Sequence, residues 1–454
     1  MINLGPLKAG YVSFGTQFYE PARLKQISAR AEKQLTDAGI ELVRTDPVFG
    51  ETAEPDRAIR ELRKESWDFL IVNIINWIDT RGVFRVLREF RHEPIVLYSF
   101  GGFTDDTGTL ISPAAGAGST SVRYALELWG YKFKYLFNGP DCPMDVEGIL
   151  QFGKAARTMK RLRHTRLGMI GFNDMGLYST GFNVTRLRDQ LGPEVESVDL
   201  LQLERKMNAI TPGEVQSEMA TITKNWEYPL GKPQDQVIER AIRMYMATVQ
   251  ICREKQFSGL SYKCVEGVDL EMGLTHAIPS SLVASAGFPY VDENDIGNLI
   301  AELMLHWIAE KQVMFLEHYE HHPEWILLGE DGYIPNEFIE GNPQIKKIST
   351  VLLGGIAHCS RMKIGRLTLA CLAEDREGYR MHIVTGEGRE RPRWVEMGVP
   401  LPSWPSVTFY PDASVRSILD HVQSQHFAAV QGDYAAELLD LCYLLDIKPV
   451  VDSR

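Results

Sequence analysis

Three acids and an amide fill four consecutive positions, Asp292, Glu293, Asn294 and Asp295, in "YVDENDIGNL" between apolar Val291 and Ile296. Carboxylates this close repel unless a cation joins them or one is protonated, and oxygen-rich groups of this kind suit Mg²⁺ or Mn²⁺. The same residues suit a helix start, with Asp295 as N-cap and Asp292 and Glu293 favoured by the helix dipole. A further acid, Glu266 in "SYKCVEG", stands one strand–helix–strand crossover before Glu293. Both acids follow strand-like runs, and open parallel sheets bind ligands outside the carboxyl ends of their strands. Glu266 and the Glu293–Asp295 pair are therefore expected on one rim. His426 opens the strand-like "HFAAVQG" ahead of Gly432 and Asp433; a lone His there is more often structural than a ligand. "LEHYEHHPEW" holds His318, His321 and His322 without an acid at a convincing spacing, and reads as a solvated turn before Pro323. His358 in "GGIAHCSRMK" could line a site, and Arg361 and Lys363 could meet an anionic substrate tail, although a solvated strand end is their commoner role. No nucleophile elbow, zincin helix, P-loop or dinucleotide fingerprint is present.

The elements that must position these residues follow from periodicity. The first third alternates strand-like runs ("AGYVSFG", "IELVRTD", "DFLIVNIINW", "PIVLYSF", "FKYLFNG") with helical patterns. That is the signature of a parallel sheet covered by helices. The second third repeats the alternation, with "PQDQVIERAIRMYMATVQICREKQ" as a long amphipathic helix. In the last third "STVLLGG", "RLTLACLA", "YRMHIVTGEG", "RWVEMG" and "SVTFYP" are strands without intervening helices, as in an antiparallel sheet or small barrel. The fold class is thus α/β, two doubly wound parallel-sheet domains (1–165 and 166–330) followed by a mostly antiparallel β domain (331–454).

The chain has 454 residues, 44% of them apolar, which allows a large core without disulfide staples. The net charge of −12 and the lack of a basic block exclude a nucleic-acid footprint. "RTMKRLRHTR" reads as a solvated helix end. No apolar run spans a membrane and no secretory leader is read at the N-terminus. Six scattered cysteines without a CxxC pair fit reduced thiols and a cytoplasmic location.

In domain order and in four segments the chain resembles the L-fucose isomerase / L-arabinose isomerase superfamily. The segments are "RLGMIGFNDMGLYSTGF", "FSGLSYKCVEG", "AGFPYVDENDIGNL" and "HFAAVQGDYAAELLDLCYLLDIKPVV". The resemblance implies a divalent cation, usually Mn²⁺ with Mg²⁺ or Co²⁺ as alternatives, held by a glutamate, a second acid and a histidine. Carried onto this sequence, these are Glu266, Asp295 (fucose type) or Glu293 (arabinose type), and His426. The "END" string favours Asp295. The arabinose-type second histidine is absent, because "LLGEDGY" brings Asp331 there, which disfavours L-arabinose as substrate. The implied activity is aldose–ketose isomerisation through a cis-enediol, with Glu266, Asp295 and Glu293 moving protons. The substrate would be a deoxyhexose, hexose or 6-substituted hexose such as a sulfo-sugar. The resemblance also implies a homo-oligomer, trimeric or hexameric, whose cleft a neighbour's first domain completes. The alternatives are a sugar-binding regulatory protein, or a metal-dependent sugar epimerase or aldolase.

Overall fold

The computed structural model describes residues 4–16, 21–105, 107–350, 353–391 and 403–453. The chain divides into two compact units, Leu4–Lys160 and a second comprising 161–454 with the first three residues. Within the first, strands β1 (Lys8–Phe14), β2 (Glu41–Arg44), β3 (Phe69–Ile74), β4 (Ile95–Phe100) and β7 (Phe133–Asn138) form a parallel sheet in the order β2-β1-β3-β4-β7. The run "FLIVNI" of β3 is buried throughout, as expected of a strand covered on both faces. "GGFTDDTG", which reads as a flexible loop, contributes Phe103–Thr104 (β5), paired antiparallel with Leu110–Ile111 (β6).

The second unit begins with another parallel sheet, β8 (Arg166–Ile170), β9 (Glu194–Val198), β10 (Gly259–Tyr262) and β11 (Tyr290–Val291), in the order β11-β10-β8-β9. The amphipathic stretch forms one helix over Asp235–Lys255. Six strands then close an antiparallel barrel: β12 (Met314–His321), β13 (Ile326–Gly329), β16 (Gly365–Glu374), β17 (Tyr379–Arg389), β18 (Ser406–Pro411) and β19 (His426–Gln431). The ring runs β16-β19-β12-β13-β18-β17, and the β16–β17 pairing closes it. β14 (Ile345–Thr350) and β15 (Leu353–His358) form a separate hairpin, and β20 (Lys448–Asp452) joins β17 in parallel.

Two features depart from the sequence reading. "LEHYEHHPEW" is not a turn throughout: its first half is the end of β12. The barrel therefore starts at Met314, and the expected division at 330/331 falls inside it. The expected strand "RWVEMG" lies outside the described residues.

The helix Ile296–Ala309 joins the two layers. Nearly all its residues are buried, and it packs against β10 and β11 on one side and β16 and β19 on the other. A helix apolar all round needs such cover on every face. Its N-terminus carries the acidic stretch.

Candidate metal centre and its surroundings

The chain leaves β11 through a tight turn. Glu293 and Asn294 both take left-handed backbone conformations, with φ of 58° and 54°. Each such non-glycine residue costs roughly 1–2 kcal/mol and needs outside support. The support is visible. Glu293 N–H donates to Cys264 Sγ at 3.3 Å, and Asn294 N–H donates to the Tyr262 carbonyl at 3.1 Å. The Asn294 side-chain amide donates to the Phe172 carbonyl at 2.6 Å. Asp295 follows as the helix N-cap, accepting from Asn298 N–H at 3.0 Å.

Asp295 does more than cap. Its Oδ2 lies 2.8 Å from Nδ1 of His426, the first residue of β19, and accepts from the Asn298 amide at 2.6 Å. The other imidazole nitrogen, Nε2, lies 3.3 Å from Glu293 Oε2 and 3.5 Å from Glu317 Oε1. It is buried and makes no hydrogen bond. Glu317 is the residue of β12 paired with His426 on the neighbouring strand β19. Glu293, Glu317 and His426 each offer one ligand atom, and these lie within 4.8 Å of one another. Gln425 steadies Glu293 by donating to its Oε2 at 3.1 Å, and Ser179 donates to Gln425 at 2.7 Å. Burial would lower the pKa of His426, but the hydrogen bond to Asp295 and the nearby carboxylates of Glu293 and Glu317 outweigh it and hold it well above the usual histidine value.

Behind this group lies a second buried cluster. Asp292 accepts from the Tyr290 hydroxyl and sits 3.4 Å from His276 Nε2; the His276 Nδ1 is 3.1 Å from Asp269. Cys264, His276 and Asp292 also bring one donor atom each within 4.8 Å of one another. Burial pushes Asp292 up to about 6 despite the opposing charge of His276. Burial alone would lower His276, yet the charges of Asp292 and Asp269 raise it to about 10. Glu330 is buried as well, and burial with the nearby Asp292 and Glu317 charges raises it well above the carboxylate range.

Of the residues singled out in the sequence, the fold brings Glu293, Asp295 and His426 together, across about 130 residues of chain. Glu266 is not among them. It sits on the helical turn after β10 with a half-exposed side chain, paired with Lys263 at 2.8 Å, and that ion pair lowers its pKa. No group of donor atoms among the described residues that could hold a metal includes it. Its turn is fixed by buried Asp174, which accepts from the backbone N–H of Val265 and Glu266 at 2.8 and 3.0 Å. Nor do the three residues considered for substrate join the cluster. His358 is buried against Ser360 Oγ at 3.1 Å, and burial lowers it to about 3. Arg361 pairs with Glu390, and Lys363 donates to the Glu337 carbonyl at 2.7 Å. Glu317, which sequence reasoning missed, carries a signal in hindsight. "MFLEHYEH" follows a buried helix, and strand alternation there places Glu317 rather than its histidine neighbours at the partner position of His426. His318 turns instead to His321, with Nδ1 to Nε2 at 3.1 Å.

No family model matches the chain. It is similar to a sulfoquinovose isomerase from Alkalicoccus urumqiensis, 22% identical over 74% of this chain and 75% of the relative. Sulfoquinovose isomerases from Priestia aryabhattai and Priestia megaterium are each 20% identical, over 85% of both chains. Among solved structures, a periplasmic solute-binding protein from Actinobacillus succinogenes 130z with bound D-allose aligns with 67% of this chain and 92% of its own. The identity is 14% and the TM-score 0.17, which carries no structural argument.

Proposed function

We propose that the protein is a metal-dependent isomerase of a sulfonated or similarly 6-substituted hexose. The similarity to sulfoquinovose isomerases over 74–85% of the chain supports an aldose–ketose isomerase, an intramolecular oxidoreductase. The observation that carries the metal is the unpartnered, buried Nε2 of His426 beside two carboxylates, Glu293 and Glu317. An imidazole nitrogen facing two carboxylate oxygens is a donor set for a divalent cation, which would take the place of the ring proton that the acids favour in its absence. Glu293, Glu317 and His426 would hold it. Mn²⁺, or Mg²⁺ or Co²⁺ in its place, would supply Lewis acidity toward the C1 and C2 oxygens of the sugar and ease loss of the C2 proton.

The chain's own groups do the rest. Asp295 accepts the Nδ1 proton of His426, which fixes the tautomer that leaves Nε2 free to ligate. One of the two glutamates takes the C2 proton and returns it to C1, and the other exchanges protons with the hydroxyls, through a cis-enediol. Gln425 orients Glu293 for this. Behind them Glu330, shifted well above the carboxylate range, holds a proton, and Asp292, raised to about 6, exchanges one just below neutral pH. On this reading Glu293 keeps its expected proton-moving role and takes the ligand place expected of Asp295, Asp295 becomes a positioning residue, and Glu317 takes the place sought for Glu266.

The decisive test is a panel of aldoses, including sulfoquinovose, glucose, L-fucose and L-arabinose, followed by NMR in D₂O with and without Mn²⁺. Metal-dependent turnover of sulfoquinovose with deuterium at C1 or C2 is the expected result; turnover without deuterium indicates a hydride shift instead. Full activity after chelation removes the metal, and no turnover of any aldose removes the isomerase. We further propose a homo-oligomer, trimeric or hexameric; light scattering from an active monomer overturns that.

A further inference from the structure

We propose a second metal site, a structural Zn²⁺ site formed by His382, His421 and Asp452. Nothing in the isomerase chemistry uses these residues. They come from three elements: β17, the last residue of the helix Val415–His421, and the last residue of β20. His382 Nε2 lies 2.8 Å and His421 Nδ1 3.0 Å from the same oxygen, Asp452 Oδ2. The three donor atoms all lie within 4.8 Å of one another.

Two histidines on one carboxylate can be a plain hydrogen-bonded trio. Three further features favour a cation. The other carboxylate oxygen, Oδ1, accepts from Ser417 Oγ at 2.5 Å, which aims Oδ2 at the imidazoles as outer hydrogen bonds aim metal-bound carboxylates. His382 and Asp452 are buried while the His421 side chain is 40% exposed, so the site has a fixed floor and an entrance. The donor set of two nitrogens and one oxygen suits tetrahedral Zn²⁺, with the fourth position left to water on the His421 side. Zn²⁺ with ligands at about 2.0–2.1 Å sets tetrahedral donors roughly 3.3 Å apart. Relative to Asp452 Oδ2 each imidazole nitrogen thus has to retreat by about 0.3–0.5 Å, and the exposed His421 side chain can turn to set the spacing between the two nitrogens, now within 4.8 Å. The ion would tie the C-terminal strand and the 415–421 helix to the barrel wall.

The test titrates chelator-treated full-length protein with ZnCl₂ by calorimetry and measures zinc retained after desalting. Wild type is compared with His421→Ala and His421→Gln. Gln can keep the hydrogen bond to Asp452 but is a poor zinc ligand, so it separates the two roles. The expected result is that both variants lose one zinc equivalent per chain and the rise in melting temperature that this equivalent brings, with circular dichroism unchanged. Equal zinc retention in wild type and both variants overturns the site, as does loss in Ala alone, which assigns the trio to hydrogen bonding. Zinc taken up at the Glu293 cluster is common to all three proteins and cancels in the comparison.

Discussion

Asp295→Asn separates a ligand from a residue that positions one. In the structure Asp295 serves three partners, capping the helix through Asn298 N–H, accepting the Nδ1 proton of His426 at 2.8 Å and accepting from Ser424 Oγ at 3.4 Å. Asn caps helices about as well as Asp, so the fold should persist. An amide, however, has one acceptor where the carboxylate has two. If its oxygen keeps the cap, its NH₂ faces both the Asn298 amide and His426 Nδ1. His426 must then accept at Nδ1 and carry its proton on Nε2, the atom that faces Glu293 and Glu317. If the amide flips, the cap is lost instead. Either outcome costs about 1–3 kcal/mol. The Kd for Mn²⁺ should rise about 10–100-fold, the range for outer partners of metal ligands, while the melting temperature falls by only several degrees and the protein stays folded at assay temperature. Calorimetry for Kd and kcat at rising Mn²⁺ are the assays. A positioning role predicts that excess Mn²⁺ restores most of kcat. Wild-type Kd and kcat/KM in the variant refute the argument, and a loss that no metal concentration rescues returns Asp295 to the first coordination shell. Asp295→Ala is less informative, because it leaves the helix uncapped and His426 and Asn298 unpartnered, roughly 3–7 kcal/mol in all.

Glu317→Gln should lower metal-dependent turnover by at least about 100-fold, since it removes one of three ligands; the check is kcat/KM beside Mn²⁺ content. Glu266→Gln should change kcat/KM by less than about 3-fold, because its half-exposed side chain pairs with Lys263 and lies outside the metal cluster; a loss of 100-fold or more would restore Glu266 to the site. His276 is raised to about 10 when folded, so it favours the fold fully below its unfolded value of about 6.5, and this contribution fades as pH rises through about 10. Thermal melts should therefore show wild type losing stability between about pH 7 and 10, by roughly 3–5 kcal/mol, with His276→Gln flattening that slope.

Much of the fold was legible because it rests on local pattern. Alternating apolar runs and amphipathic helices identify both parallel sheets, and strands broken by Gly and Pro identify the antiparallel end. The barrel's closure was not legible, since β12 is paired with β19 more than a hundred residues later and its polar end reads as a turn. The same fact hid Glu317. Its partnership with His426 exists only in the register of β12 on β19, which no spacing along the chain encodes. Glu266 misled for the converse reason. Its position after a strand is right for a rim residue, but Lys263 lies three residues before it, and a helical turn brings the two side chains together.

The two readings of the acidic stretch, helix cap or cation site, are not rivals here. A cap alone requires Asp295 and an ordinary turn. It does not require two left-handed residues before it, held by Cys264, Tyr262 and Phe172. That strain has a local consequence: it sets Glu293 and Asp295 on the two nitrogens of one imidazole, Nε2 and Nδ1. Capping is then what makes Asp295 rigid enough to orient His426, because its carboxylate is fixed by the first turn of a helix buried on every side. The helix Ile296–Ala309 thereby links the sheet that supplies Glu293 to the barrel that supplies Glu317 and His426. A substitution that loosens this helix without touching the cluster, such as Leu303→Ala, should cost about 2–5 kcal/mol of stability. It should also weaken Mn²⁺ binding more than an equally destabilising change in the Leu4–Lys160 unit. Equal Mn²⁺ affinity at equal loss of stability would show that the cluster does not depend on the helix for its geometry.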